Sequence, residues 1–236
     1  MGYFNYLYYY NWSYIIYMLP LIIFTLIVQA RMNSTFKKYS RIPNMRRLTG
    51  VQAAENVLRY NGVTGVRIER VSGNLTDHFD PRTNVIRLSD SVYNSNSIAA
   101  VGVACHEAGH AVQHAEGYVP NKIRSAILPV ANLGSKLSWI FIMLGLVLST
   151  FEIFLYVGIA LFAASVLFTV ATLPVEFNAS SRALSCIRET GMLIDDEYTG
   201  AKRTLQAAAM TYVAATATAI AQLLRLILIA QGRNRR

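Results

Sequence analysis

The sequence predicts a mainly α-helical membrane protein with about four transmembrane helices and a small α+β domain that contains a short β-hairpin. Three observations lead to this prediction. Hydrophobic residues make up 53% of the 236 residues, and the mean hydropathy is +0.33, which is high for a soluble enzyme. These apolar residues are concentrated in four runs. The sequence between the first two runs is more polar and contains short alternating stretches typical of strands.

The four apolar runs are the candidates for membrane-spanning helices. Three of them are long enough to cross a hydrocarbon layer of about 30 Å. The second run is short, and it spans only if residues 132–138 extend its helix; a buried or re-entrant helix is the alternative. The fourth run is interrupted by Arg225. The runs cover residues 12–28, 137–150, 153–175 and 207–230.

Basic residues orient the first span. No lysine or arginine precedes it, whereas six follow it within residues 31–47. The positive-inside rule therefore places the N-terminus outside a plasma or inner membrane and the sequence from Arg31 onward in the cytoplasm. Three arginines in the C-terminal tail would then lie outside after a fourth span, so burial of the last helix against the catalytic part is the alternative.

The polar sequence after the first run predicts a helix and two strands. A capped helix is expected from Thr49 to Tyr60, with Asn61-Gly62 ending it. Residues 63–71 and 84–88 read as strands, and a turn at residues 80–83 would join them as a hairpin. A further helix should start at Ser89, at Asp90 or within residues 94–97, and Gly117 can end it.

This further helix carries the motif His106-Glu107-Ala108-Gly109-His110. Residues four apart on a helix project from one face, so both imidazoles can bind one zinc ion at about 2.0–2.1 Å. Glu107 lies beside them and can take a proton from a water molecule at the metal. Ala108 and Gly109 are interpreted as small residues that keep the metal-facing groove open. The motif predicts a zinc peptidase with a zincin-like catalytic domain.

A catalytic zinc ion has three protein ligands, so one more is needed. The metzincin pattern is excluded, because Gln113 and Glu116 stand where it requires glycine and histidine. Glu176 is favoured, because Pro174 can begin a second helix that faces the first. An exposed first-turn glutamate is the alternative for this residue. The remaining candidates include His114, which lies a turn further along the first helix and suits a contact to a ligand better. The five candidates are His78, Asp80, His114, Glu116 and Glu176.

Three stretches resemble the YugP-type bacterial membrane zinc metallopeptidases. They are HEAGHAVQ from His106, GNLTDHFDP from Gly73 and TLPVEFNASSRAL from Thr172, and the similarity extends over residues 73–224. A more distant similarity is to the HtpX and CAAX-prenyl gluzincins, whose third ligand begins a Glu-x-x-Ala-Asp motif on a second helix. The resemblance implies that Glu176 is the third zinc ligand and that Ala179 is the small residue behind it.

The chain departs from those relatives at Ser180, where they carry an aspartate that steadies a histidine ligand. Arg182 and Asp80 are candidates to replace that aspartate. The resemblance also implies that residues 84–88 form an edge strand that holds an extended substrate by main-chain hydrogen bonds. His78 is the first candidate to stabilise the oxyanion of the reaction, and Arg182 the second. A role in supporting a ligand or a turn is the alternative for His78.

The expected organisation follows from the spans and the motif. Two spans lie between His106 and Glu176, and an even number is required for both residues to reach one ion from the same side. The parts are a transmembrane anchor (1–30), a cytoplasmic catalytic part (31–133), a transmembrane hairpin turning near residues 150–152 (134–173), a segment with the third ligand (174–206), and a C-terminal transmembrane or buried helix with a basic tail (207–236).

The remaining features bear on partners. The net charge of +9 does not indicate nucleic-acid binding, because no such motif accompanies it and the basic residues cluster beside a span, where they can contact anionic lipid. Seven of the 14 tyrosines lie within residues 3–17, which is typical of an interfacial belt and also of a contact with a membrane protein or a second copy. Cys105 and Cys186 are expected to be free thiols.

Three other functions are weighed against a membrane zinc peptidase with a peptide or protein substrate. A protease with its zinc inside the bilayer would need an aspartate in a later span, but Asp195 and Asp196 are expected in a polar loop. A non-enzymatic membrane scaffold would not need Glu107. A structural zinc site normally has four protein ligands rather than three.

Overall fold

The computed structural model describes residues 2–147 and 152–234. Each of two compact units is assembled from separate stretches of the chain. The first comprises Met1–Val28, Ile123–Leu173 and Thr211–Arg236, and the second comprises Gln29–Lys122 and Pro174–Met210. The helices are α1 (Gly2–Tyr39), α2 (Gly50–Tyr60), α3 (Ile98–Ala115), α4 (Val119–Val147), α5 (Glu152–Glu189) and α6 (Asp195–Asn234), and the strands are β1 (Arg67–Val71), β2 (His78–Asp80) and β3 (Val85–Ser89).

Four helices in the described part of the chain are long and apolar enough to cross a membrane, which confirms the predicted fold class. The second apolar run belongs to a helix of 29 residues that includes residues 132–138, so its length is sufficient for a span. The predicted turn at residues 150–152 lies outside the described residues, apart from Glu152. The candidate spans are Met18–Tyr39, Val119–Val147, Ile153–Glu189 and Asp195–Gly232.

Within the first unit, glycines allow α4 and α5 to pack at backbone distance. A Cβ atom on Gly134 would lie 2.4 Å from the carbonyl oxygen of Leu161, and one on Gly145 would lie 2.3 Å from the backbone nitrogen of Leu155. Small residues at such contacts are characteristic of helix pairs in membranes. This packing fits the expected transmembrane hairpin.

In the second unit, α2 begins with the predicted cap. The Thr49 hydroxyl accepts a hydrogen bond from the Gln52 N–H, and the Gln52 side chain accepts one from the Thr49 N–H, so both halves of a capping box are present. One face of α2 is buried through Ala53, Ala54 and Val57. It packs into a single core with α3, the sheet and the second half of α5.

The sheet corrects the predicted hairpin. Its strand order is β1-β3-β2, with β1 parallel to β3 and β2 antiparallel to β3. The strand that forms a hairpin with β3 is therefore β2. Asp80 stabilises the turn between them by accepting hydrogen bonds from the Arg82 N–H and the Thr83 hydroxyl. Of the predicted residues 84–88, all but Asn84 belong to the central strand, so the expectation that they form an edge strand is wrong. Three of them, Val85, Ile86 and Leu88, are fully buried, as a central strand requires.

Two further expectations about helix boundaries are wrong. Pro174 does not begin a new helix; it lies inside α5, which continues through it to Glu189. A proline removes one main-chain hydrogen bond, and membrane helices tolerate that loss when neighbouring groups compensate. Asp195 and Asp196 form the first turn of α6 and not a loop. Carboxylates are favoured there by the helix dipole.

Candidate metal centre

Helix α3 presents the two histidines of the motif. The Ser97 hydroxyl accepts a hydrogen bond from the Ala100 N–H and caps the helix, so the last of the predicted start positions is the one used. Gly117, with φ +66°, follows its C-terminus as predicted. His106 and His110 lie one turn apart with their rings edge to face, and the ring centroids are 4.7 Å apart.

Helix α5 approaches α3 at Gly109. A Cβ atom on this glycine would lie 2.8 Å from the carbonyl oxygen of Ala179, which is itself fully buried. The interpretation that Gly109 keeps the metal-facing groove open is therefore wrong, because the glycine faces the α5 backbone. Its role is to let the two helices touch, and this contact brings Glu176 of α5 to the two histidines of α3.

His106, His110 and Glu176 form a group that can hold a metal ion. Their ligand atoms all lie within 4.8 Å of one another. Glu176 Oε2 is 3.3 Å from His106 Nε2 and 3.5 Å from His110 Nε2. In a tetrahedral zinc site with bonds of about 2.0–2.1 Å, neighbouring ligand atoms are separated by roughly 3.3 Å. The two distances from Glu176 Oε2 therefore match the edges of such a tetrahedron.

The environment of Glu176 also fits a cation. Its side chain is only 5% exposed, and Oε2 is buried without a hydrogen-bond donor among the described residues. A buried carboxylate oxygen needs a compensating positive charge or hydrogen bond. Both histidine side chains remain 14% exposed, so the group is open on one side. Three ligands and an open side are the features of a catalytic zinc site.

His106 is supported by Ser180. The Ser180 hydroxyl lies 3.1 Å from His106 Nδ1, and this contact leaves Nε2 for the metal. Ser180 thus stands where the relatives named in the sequence analysis carry an aspartate, and its hydroxyl contacts His106. Neither Asp80 nor Arg182 is required to replace the aspartate.

His110 is supported by Gln113, which the sequence analysis did not select. The Gln113 side chain is completely buried, and its Oε1 lies 3.1 Å from His110 Nδ1. Its Nε2 donates to the carbonyl oxygen of Val175 and to Asn178 Oδ1, both at 2.9 Å. One signal was available: Gln113 lies three residues after His110, within reach on the same helix face. Its second contact, to α5, has no local signature.

Glu107, the predicted general base, lies on α3 between the two histidines in sequence and is 9% exposed. Two other predicted residues lie at or near β2. His78 on β2 is exposed, and its Nδ1 is 2.8 Å from the carbonyl oxygen of Thr76. His114 is exposed near the end of α3, with its ring centroid 5.7 Å from that of Phe79. Neither belongs to the described group of three ligands.

Asp80 and Arg182 hold neighbouring parts of the second unit together. Hydrogen bonds from the Thr83 hydroxyl, the Arg82 N–H and the Arg87 guanidinium lower the pKa of Asp80 to about 2. Arg182 donates from Nε to Asn178 Oδ1 at 2.7 Å, and its Nη2 forms a 2.7 Å ion pair with Glu116.

Comparisons with known proteins agree with this geometry. The model of a family described as "Putative neutral zinc metallopeptidase" matches residues 14–231. A protein of Bacillus subtilis (strain 168), named "Putative membrane protease YugP", is 43% identical over 201 residues, which cover 85% of this chain and 89% of that protein. No solved structure matches the chain. Since the family model spans nearly all of the sequence, the chain belongs to this neutral zinc metallopeptidase family.

Proposed function

We propose that this chain is a multi-pass membrane zinc endopeptidase that hydrolyses peptide bonds in peptide or protein substrates. His106, His110 and Glu176 would hold the zinc ion, and Glu107 would act as the general base. The observation that carries the proposal is the convergence of three ligand atoms, one of them a buried carboxylate oxygen without a hydrogen-bond donor among the described residues, at the helix that also carries Glu107. Membership of the zinc metallopeptidase family supports the same reaction.

The bound zinc ion supplies a Lewis acid that polarises a carbonyl group and makes water nucleophilic near neutral pH. The Glu107 carboxylate accepts the proton that the attacking water loses as its oxygen bonds to the scissile carbon. It then returns this proton to the leaving amine nitrogen as the C–N bond breaks. His78 is our candidate for a donor to the oxyanion, because its exposed ring lies on the strand beside α3. Arg182 is less suited, since Asn178 and Glu116 already engage it.

Strand β2 is the proposed substrate strand. It lies at the edge of the sheet, and Phe79 on it contacts His114 of α3, so this edge runs beside the helix that carries the metal ligands. An edge strand offers unpaired main-chain groups that an extended peptide can bond. We therefore assign to β2 the role that the resemblance first suggested for residues 84–88.

Charge supports an active site on the cytoplasmic face of a plasma or inner membrane, because six basic residues follow the first apolar run and none precedes it. The same residues would contact anionic lipid. We also propose that the tyrosines of residues 3–17 contact a membrane protein or a second copy of the chain. All seven of their side chains lie outside the described part of the molecule.

Zinc content and cleavage of casein, measured on the full chain, test the proposal. Wild type should hold about one zinc ion and cleave. Glu107→Gln should retain the metal and lose at least about 100-fold in rate, whereas Glu176→Ala should lose both. Glu55→Gln, an exposed change on α2, is the control and should alter neither. Full activity in Glu107→Gln would exclude the general-base role, and a wild type that holds zinc but cleaves nothing would favour the scaffold alternative.

A further inference from the structure

We infer that Gln113 is a positioning residue that selects the tautomer of His110, and that Arg182 sets the orientation of Gln113 through Asn178. The inference rests on the proposed zinc site. It adds to that site a chain of hydrogen bonds that links a permanent cation, Arg182, to a metal ligand, His110.

The first step concerns the orientation of the Gln113 amide. Its nitrogen faces two oxygen atoms, the carbonyl of Val175 and Oδ1 of Asn178, each at 2.9 Å. An amide nitrogen has two hydrogen atoms and no acceptor, so both contacts are satisfied in this orientation and in no other. The amide oxygen is then directed at His110 Nδ1, 3.1 Å away. Because Gln113 is completely buried, water does not offer an alternative partner.

The second step concerns what holds Asn178. Its Oδ1 accepts a hydrogen bond from Arg182 Nε at 2.7 Å as well as the one from Gln113. A guanidinium group has only donors and stays charged at every relevant pH, so it fixes the oxygen of Asn178 toward itself. Arg182 is in turn held by its ion pair with Glu116 and lies 5.9 Å from the Tyr118 ring centroid. Arg182 therefore acts through Asn178 and Gln113, without touching a metal ligand.

The third step follows at His110. An oxygen acceptor opposite Nδ1 requires a proton on that nitrogen, so in the neutral ring the lone pair is on Nε2, which lies 3.5 Å from Glu176 Oε2. This is the tautomer that can bind a metal through Nε2. His106 has no equivalent constraint, because its partner, the Ser180 hydroxyl, can donate or accept. The chain of hydrogen bonds through Asn178 and Gln113 therefore determines which ring nitrogen carries the proton in His110 only.

Three variants test the inference on the full chain in detergent, with zinc affinity measured by competition with a chromophoric chelator. Gln113→Met has a similar volume but no acceptor, and it should weaken zinc binding about 10- to 100-fold. Asn178→Asp keeps an acceptor for Arg182 and should stay within about threefold of wild type, whereas Asn178→Leu should weaken binding about 10-fold. Thermal melting of the metal-free variants reports folding separately. If Gln113→Met does not fold, the two Asn178 variants decide.

Nitrogen-15 NMR of the four histidines supplies a readout that a merely structural role would not change. In wild type, His110 Nδ1 should carry a proton that is hydrogen-bonded to Gln113 Oε1, and Gln113→Met should lose this hydrogen bond. Unchanged zinc affinity in Gln113→Met and Asn178→Leu would overturn the inference alone. A wild type that binds no zinc would overturn the proposed function with it, while zinc binding without cleavage would contradict only the proposed function.

Discussion

Adding one methyl group at Gly109 should disrupt the zinc site more than it disrupts the fold. In Gly109→Ala, the new Cβ atom would lie 2.8 Å from the Ala179 carbonyl oxygen and 3.4 Å from two further backbone atoms of that residue. Favourable contacts between a carbon and a carbonyl oxygen are about 3.3–3.6 Å, so α5 must recede from α3 by roughly 0.5–0.8 Å to relieve this contact. The contact is to backbone, which cannot rotate away as a flexible side chain can.

The consequence for stability is small and the consequence for the metal is large. Overpacking costs typically about 1–3 kcal/mol, while replacing glycine by alanine inside a helix gains up to about 1 kcal/mol. Zinc sites, in contrast, tolerate deviations of only about 0.2 Å in their ligand distances. Because Glu176 moves with α5 and the histidines stay on α3, we expect the zinc Kd to rise about 10- to 100-fold.

Gly102→Ala is the matched control on the same helix, two turns earlier. A Cβ atom there would lie 3.4 Å from the Ala201 Cβ atom, an ordinary contact. This variant should keep wild-type zinc affinity and gain slightly in melting temperature. Chelator competition and thermal melting measure both quantities on both variants. If Gly109→Ala bound zinc as tightly as Gly102→Ala does, the close approach of α3 and α5 would not be what places Glu176.

Three further predictions concern residues around the site. Ser180→Ala removes the partner of His106 Nδ1 and should weaken zinc binding about 10-fold, whereas Ser180→Asp should restore or exceed wild-type affinity in the same assay. Asp80→Asn should lower the melting temperature of the metal-free protein near neutral pH, because the pKa of Asp80, about 2, lies below its ordinary 3.8. The stabilisation by the Asp80 carboxylate is therefore present above pH 3.8 and lost as the pH falls through 2. Equal melting temperatures for wild type and Asp80→Asn at every pH would contradict this prediction. His78→Ala should reduce the cleavage rate at unchanged zinc content, and an unaltered rate would remove His78 from the mechanism.

The sequence predicts those features that depend on local spacing. His106 and His110 are four residues apart, so any helix places them together, and the cap at Thr49 follows from its own neighbours. Glu176 could be predicted because a catalytic zinc ion needs a third ligand and the resemblance indicated which residue it is. Four candidate spans followed from the length and composition of the apolar runs.

Features that depend on distant contacts were missed. Strand β2 has only three residues, too few for an alternating pattern, so the partner of β3 was misassigned. Pro174 usually marks a boundary, but α5 continues through it. Gln113 acquires its role from Asn178, 65 positions later in the chain, and no periodicity in α3 reports that contact. The role of Gly109 was misinterpreted for the same reason, because its contact with the α5 backbone is also distant in sequence.

The split of the second unit has a consequence for biosynthesis. The two proposed histidine ligands lie in Gln29–Lys122, and the proposed glutamate ligand follows only after the apolar residues 123–173, in Pro174–Met210. During translation the nascent chain therefore carries an incomplete ligand set until residues 123–173 have been made. A fragment that ends before the hairpin has the HExxH motif but not its third ligand. The order of the segments thus delays completion of the proposed ligand set until residues 123–173 have been made.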